Sequence, residues 1–500
     1  MDALPSLSKS RFLSGCQCPL KLWYDTYQRE LQPTPDEARQ ALFDMGTEVG
    51  ELARRRYPGG VLVVGNPWEV KKTAARTREL MAEASVPAIY EATIKHRSVL
   101  TRVDVLVRAP HKAWDLVEVK ASTRVKEPFD TDVAVQYWIL KGAGVRVRRA
   151  GLLLLDRDYV YPGGEPDLDA LFRFEDLTEV CESRLPEIEK RVAEFRAVLT
   201  AKAPPDIGIG DHCFTPYECP YYGHCSRDAV FPDHPIDMLP RLQGSRRDGL
   251  VERGIEAVEG IPDDYPLTEA QALVRECVLS GDPWVSSELA GLLEDVEWPL
   301  CFLDFEAAGY AIPRFPGTRP FDAVPFQFSC HVQAEPGAEP EHREFLAIDG
   351  GDPREPLARA LLEALGERGS ILVYSSYEAR VIRDLAAWLP GLAPDLEALQ
   401  PRLVDLLKIV MAHYCHPEFG GSYSIKSVLP VLAPELDYAD LEIADGQAAA
   451  RAWMHMRDSG DMLERARLEQ ALRHYCRRDS VAMLELRNAL LAAARGEGDG

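Results

Sequence analysis

LTRVDVLVRAPHKAWDLVEVKAS, residues 100–122, decides how the first half of this chain reads. In TRVDVLVR apolar and polar residues alternate, the pattern of a strand with one wet face. AWDLVEVKAS at 113–122 is a second strand, in which Glu118 and Lys120 stand two apart and therefore share a face. Outward from this pair, AIYEATIKH at 88–96 and RRAGLLLLD at 148–156 are further strands. The unbroken apolar run of the latter fits a strand covered on both sides. Residues 36–56, DEARQALFDMGTEVGELARRR, read as a helix. The expected class is α/β.

The chain has 500 residues, too many for one core at roughly 100–200 residues per domain. Three regions are expected: 1–228, a Pro-rich helical connector at 229–297, and 298–495. The last opens on the apolar strand PLCFLDFEA, has a second strand at ILVYSSY (371–377) and ends in a long helix at roughly 461–495. A 46% apolar and 27% charged composition excludes wholesale disorder and fibrous classes. MDALPSLSKSRF lacks an apolar signal-type core, and no run approaches ~18 apolar residues, so a soluble, cytoplasmic protein without membrane contact is expected. In a reducing compartment the 11 cysteines are thiols or metal ligands. The net charge of −23 is uneven: residues 1–150 carry +6, 151–230 carry −8 and 231–500 carry −21. An acidic chain can still hold phosphates in a local cleft, so nucleic acid is not excluded.

Three constellations carry chemistry. Glu91, Asp104 and Glu118 each place a carboxylate among apolar neighbours on three consecutive strands, with Lys120 beside the last. Buried carboxylates repel one another and need a cation, and hard oxygen ligands suit Mg²⁺ or Mn²⁺. Lys120 would orient a water or neutralise developing charge. Next, HCFTPYECPYYGHC supplies Cys213, Cys219 and Cys225, and GCQCPLKLW supplies Cys16 and Cys18. Four thiolates suit either an iron–sulfur cluster or tetrahedral zinc, and the wide spacing lowers the case for zinc. His212 and His224 flank the ligands, whereas Cys181, Cys277, Cys301, Cys330, Cys415 and Cys476 read as packing residues. Finally, FLDFEA sets Asp304 and Glu306 two apart on a strand, ILVYSSYE presents Glu378, and HYCRRDS puts Tyr475 and Asp479 four apart on a helix. Such carboxylates are what a two-metal phosphodiester site needs, with Tyr475 orienting the water. Asp405 is a second candidate for the place given to Glu378.

The pattern Asp104-x13-Glu118-x-Lys120 resembles the core of PD-(D/E)xK nucleases, which have a restriction-endonuclease-like fold. Gln136 lies on the following helix, where RecB-like members carry a glutamine; Gly50 stands where many of them have a metal-binding histidine. One N-terminal cysteine with three after the core is similar to RecB-like nucleases stapled by a 4Fe–4S cluster, which implies Cys18, Cys213, Cys219 and Cys225 as ligands. Asp304, Glu306, Tyr475 and Asp479 resemble the tyrosine-bearing branch of DEDD exonucleases, which have an RNase H-like mixed sheet. In the middle motif Tyr377 is in place, while Glu378 stands for the aspartate and Ser375 for the asparagine. CPLKLW at 18–23, VEVKAS at 117–122, PYECPYYGHC at 216–225, GSYSIKSVLP at 421–430 and YCRRDS at 475–480 extend the likeness along the chain. Over nearly its whole length the chain resembles a bacterial family of uncharacterised proteins. That family joins an iron–sulfur RecB-like half to a C-terminal domain of unknown function with the exonuclease signature. The resemblance implies a nuclease with two phosphodiesterase sites, Mg²⁺ or Mn²⁺ at both, acting on single strands or ends of DNA and from a 3′ end of DNA or RNA. A nucleic-acid-binding protein with degenerate sites and an iron–sulfur redox sensor are the alternatives.

Overall fold

The computed structural model describes residues 7–66, 68–436 and 441–497 of a mixed α/β protein. The chain divides into two units: Met1–Ala229 with Tyr310–Asp322, and Val230–Gly309 with Ala323–Gly500. The first six residues of the N-terminal stretch read above lie outside the described ones.

In the first unit, one sheet holds β1 (Leu7–Ser8), β2 (Val61–Leu62), β3 (Ala88–His96), β4 (Val99–Ala109), β5 (Ala113–Lys120), β6 (Val147–Leu155) and β7 (Phe172–Asp176). Its order is β2-β3-β4-β5-β6-β7, with β1 running parallel to β4. The sheet is mixed, since β3, β4 and β5 are antiparallel neighbours while β5 and β6 are parallel. The longer helices are α1 (Lys9–Gln17), α2 (Pro19–Tyr27), α3 (Glu37–Arg55), α4 (Val70–Ala82), α5 (Glu127–Gly142) and, further on, Thr178–Thr200.

β6 shows why an unbroken apolar run was needed. Leu152 and Leu154 pack with residues of α5 and Thr178–Thr200 on one face, while Leu153 and Leu155 pack with Val49, Leu52 and Ala53 of α3 on the other. Gly151 in the same strand lets β7 approach, because a Cβ there would stand 2.0 Å from the Glu175 carbonyl oxygen. β3 is irregular at Glu91. Its backbone is left-handed (φ 55°), and the pairing with β4 passes from Tyr90↔Val105 to Ala92↔Val103 across it. A bulky side chain in that region of backbone space is uncommon and marks local strain.

In the second unit, β9 (Leu300–Gly309), β10 (Ala323–Gln333), β11 (Glu341–Leu346), β12 (Ile371–Val373) and β13 (Leu403–Asp405) form a sheet in the order β11-β10-β9-β12-β13. β8 (Trp284–Val285) pairs separately with β14 (Tyr414–Cys415). β9 is central, antiparallel to β10 and parallel to β12. Leu303 and Phe305 pack among residues of helices Arg354–Leu365 and Tyr377–Trp388, whereas Leu300 and Phe302 pack with Ala482, Leu486 and Leu490 of the helix Met462–Arg495.

The expected strand 371–377 is shorter than its sequence suggests. It ends at Val373, because Ser375 Oγ accepts from Tyr377 N at 2.9 Å and turns the chain into the helix that begins there. Of the stretch 229–297, read as a connector, everything from Val230 onward packs as part of the second unit. Ile236, Leu239, Leu250, Val258 and Cys277 make a small core with Cys415, and Leu289 and Leu293 pack against Leu300 and Phe302. Among the described residues, no helix is long and apolar enough to cross a membrane.

Candidate functional site

The register of β4 and β5, with Val105 opposite Val117, sets Asp104 beside Glu118. Glu118 is buried and is reached from three elements. Lys120 of its own strand donates to Oε1 at 2.7 Å, Lys9 of α1 donates to the same oxygen at 2.8 Å, and Gln136 of α5 donates to Oε2 at 2.7 Å. Asp132, one turn before Gln136, accepts from Lys120 at 2.7 Å and from Gln136 at 3.2 Å, and lies 3.1 Å from Lys9. Asp104 accepts from the Val119 backbone N–H at 2.8 Å. Burial works to raise Glu118, but Lys9 and Lys120 outweigh it and hold the carboxyl far below its ordinary range. Asp104 is pushed up to about 7, first by burial and then by the charge of Glu118. Glu91, expected beside these groups, gives its carboxylate to Arg54 of α3 at 2.9 Å.

The four expected cysteines come together. Cys18, Cys213, Cys219 and Cys225 line one pocket with Lys21, Tyr24 and His212. Burial raises the Cys225 thiol, and Cys219, Cys213 and Cys18 raise it further, as neighbouring sulfurs must. Cys16 is elsewhere, beside Arg191. His224 turns to Arg227 at 3.0 Å.

In the second unit, the face of β9 that carries Leu300 and Phe302 continues as Asp304 and Glu306. Asp479, from the helix Met462–Arg495, meets them, and ligand oxygens of Asp304, Glu306 and Asp479 lie within 4.8 Å of one another. Burial drives Asp304 well above its ordinary range, followed by the charges of Asp479, Glu306 and Glu378. Glu306 is driven up by burial and Asp479, against the pull of Lys426. Glu378, buried near the group, accepts from Ser375 Oγ at 3.1 Å and is pushed up to about 7 by burial. Asp405 caps a helix, accepting from Lys408 N at 3.3 Å. Tyr475 is buried, with Lys426 Nζ 5.5 Å from its ring centre.

Sequence reasoning missed four of these neighbours. Asp132 was legible as the residue four before Gln136, on the same helical face. Cys476, read as packing, donates to Asp304 Oδ2 at 3.5 Å; it lies one turn from Ser480 on the face that carries Asp479. Lys426 and Lys9 come from distant segments, and no local pattern marks them. Three close carboxylates at a largely buried place repel one another strongly enough to require a cation or protons.

The fold and the site define a class: a mixed α/β protein with a buried acidic triad capable of holding a metal ion. A family model described as a domain of unknown function, DUF2779, matches residues 301–424. The match takes in Asp304, Glu306 and Glu378 and stops before Asp479. No curated protein and no solved structure matches the chain.

Proposed function

We propose that this chain is a metal-dependent nuclease with two phosphodiesterase sites. The first unit is read as a RecB-like PD-(D/E)xK nuclease domain and the second as an RNase H-like, DEDD-type 3′–5′ exonuclease. The observation that carries the reading is the approach of Asp304, Glu306 and Asp479 to within 4.8 Å, from a strand and a helix whose carboxylates are more than 170 residues apart in sequence. Hard oxygen donors at that spacing suit Mg²⁺ or Mn²⁺. Bound there, divalent ions would supply Lewis acidity and an activated water for in-line attack on a phosphodiester.

The residues of the chain do the rest. Asp304, Glu306 and Asp479 supply oxygens, and Glu378 stands close enough for its charge to act on Asp304. Tyr475, one turn before Asp479, would orient the attacking water. In the first unit Asp104 and Glu118 supply the oxygens, Gln136 fixes Glu118 through Oε2, and Lys120 balances charge on the transferring phosphate. Cys18, Cys213, Cys219 and Cys225 would hold a 4Fe–4S cluster, with zinc the second choice. The spacing Cys213-x5-Cys219-x5-Cys225, wider than the C-x2-C knuckle of zinc ribbons, supports the cluster over zinc.

The test is degradation of a labelled single strand by anaerobically purified protein with Mg²⁺ or Mn²⁺, and its loss with chelator. Lys120→Ala and Asp304→Ala should each abolish a different activity; if neither changes cleavage, the reading is wrong. A second reading, nucleic-acid binding without cleavage in the first unit, is favoured by the two lysines that already neutralise Glu118 and Asp132. Salt-sensitive binding with no metal-dependent cleavage would select it.

A further inference from the structure

α1 links the four-cysteine pocket to the acidic group of the first unit. At its C-terminal end Gln17 donates to the carbonyls of His212 at 3.0 Å and Tyr217 at 2.6 Å, and the next residue, Cys18, enters the pocket. In its middle Phe12 is fully buried, edge-on to Phe195 with ring centres 5.2 Å apart. A Cβ on Gly15 would come 2.9 Å from that same ring, so the helix is already as close as it can be. At its N-terminal end Lys9 Nζ stands 2.8 Å from Glu118 Oε1 and 3.1 Å from Asp132 Oδ1. A helix fixed at its far end and its middle thus delivers one ammonium to the buried carboxylates.

Glu118 and Asp132 are almost wholly buried, and buried carboxylates require compensating charge. Lys9 and Lys120 supply it. A divalent ion would supply the same charge, closer in, because Mg²⁺ sits at about 2.0–2.1 Å from its oxygens. Lys9 and such an ion would meet at Glu118 Oε1 as like charges in a low-dielectric place. Oε1 already accepts from Lys120 as well, so an arriving ion competes for it with Lys9, the ammonium brought in by a separate helix.

We propose that Lys9 is a positioning residue of the first-unit site: its ammonium holds Glu118 and Asp132 in place and must be displaced from Glu118 when a divalent ion binds, so that α1 sets the metal affinity. This rests on the metal-site reading of Asp104 and Glu118 given above.

The test is a Mn²⁺ titration of the full chain, followed by the resonance of the free ion, with the second-unit group silenced by Asp304→Asn and Asp479→Asn. Lys9→Gln keeps a donor for Glu118 and removes the charge; it should bind Mn²⁺ about tenfold more tightly than the parent. Lys9→Arg, which keeps the charge, should stay within about twofold of it. Glu118→Gln should abolish the binding event. If Glu118→Gln abolishes binding but Lys9→Gln binds no more tightly, the Lys9 proposal fails and the metal site stands. If Glu118→Gln leaves binding unchanged, the metal reading fails and takes this proposal with it. A crystal of the unsubstituted protein soaked in Mn²⁺ gives a readout that does not depend on the variants folding. Lys9 Nζ should have left Glu118 Oε1; an occupied site with that contact intact would overturn the inference.

Discussion

Glu378 shows what burial does to a single carboxyl. Its pKa rises from 4.5 to about 7, mainly because it is desolvated. A raised folded-state pKa means that stability is fully present below the unfolded value and is lost as pH climbs through the folded one. For Glu378 the loss runs from about pH 4.5 to 7 and amounts to ~3 kcal/mol. Glu378→Gln keeps an acceptor for Ser375 Oγ and cannot ionise. In chelator it should therefore melt several degrees above the unsubstituted protein at pH 8 and level with it near pH 4.5; an equal gain at both values would contradict the account. At this scale the sequence was partly legible. Asp304, Glu306 and Asp479 were readable because their spacings encode a strand face and a helix face. Glu91 lies between the pairs Tyr90↔Val105 and Ala92↔Val103, hence opposite Asp104, but its left-handed backbone and its ion pair with Arg54 leave no trace in the alternation. Lys9 and Lys426 reach their carboxylates through tertiary packing, which leaves no periodic trace in the sequence.

Among the elements, β6 was the most legible, since four consecutive leucines can be buried only between two layers. The glycine before them is as informative. Gly151→Ala would drive a methyl group into the Glu175 carbonyl of β7, a backbone atom that cannot swing aside. The expected cost is about 3 kcal/mol or more, read as a lower midpoint in denaturant, together with loosening of β7 in hydrogen exchange. Unchanged stability would mean that β6 and β7 are not paired through Gly151↔Asp176. Elements set by local hydrogen bonds were harder to read. ILVYSSY looks like seven strand residues, yet Ser375 competes for the backbone and ends the strand after three. α1 has only two fully buried side positions, Phe12 and Gly15, so its role as the carrier of both Lys9 and Cys18 is invisible in its amphipathicity.

At the scale of the whole molecule, two acidic groups and a thiol pocket are assembled by segments far apart in the chain. Cys18 meets Cys213, Cys219 and Cys225 across about 200 residues, and Asp479 meets Asp304 across the second unit. The order of the motifs made these meetings readable. How the chain is apportioned was not: the segment Tyr310–Asp322, between β9 and β10 in sequence, belongs to the first unit, where Ala311 packs with Tyr159 and Leu171 and Gly317 donates to the Tyr161 carbonyl at 2.7 Å. Apolar content does not reveal an excursion of that kind. The uneven charge is also a property of this scale, since the acidic surplus of residues 231–500 includes the very carboxylates gathered at β9.

Anomalous diffraction at the manganese edge from crystals of the full chain soaked in millimolar Mn²⁺ tests the central claim most directly. The account predicts a peak within about 2.0–2.3 Å of oxygens from Asp304, Glu306 and Asp479, absent from Asp304→Asn crystals. Ordered carboxylates at that place with no anomalous density between them would contradict it.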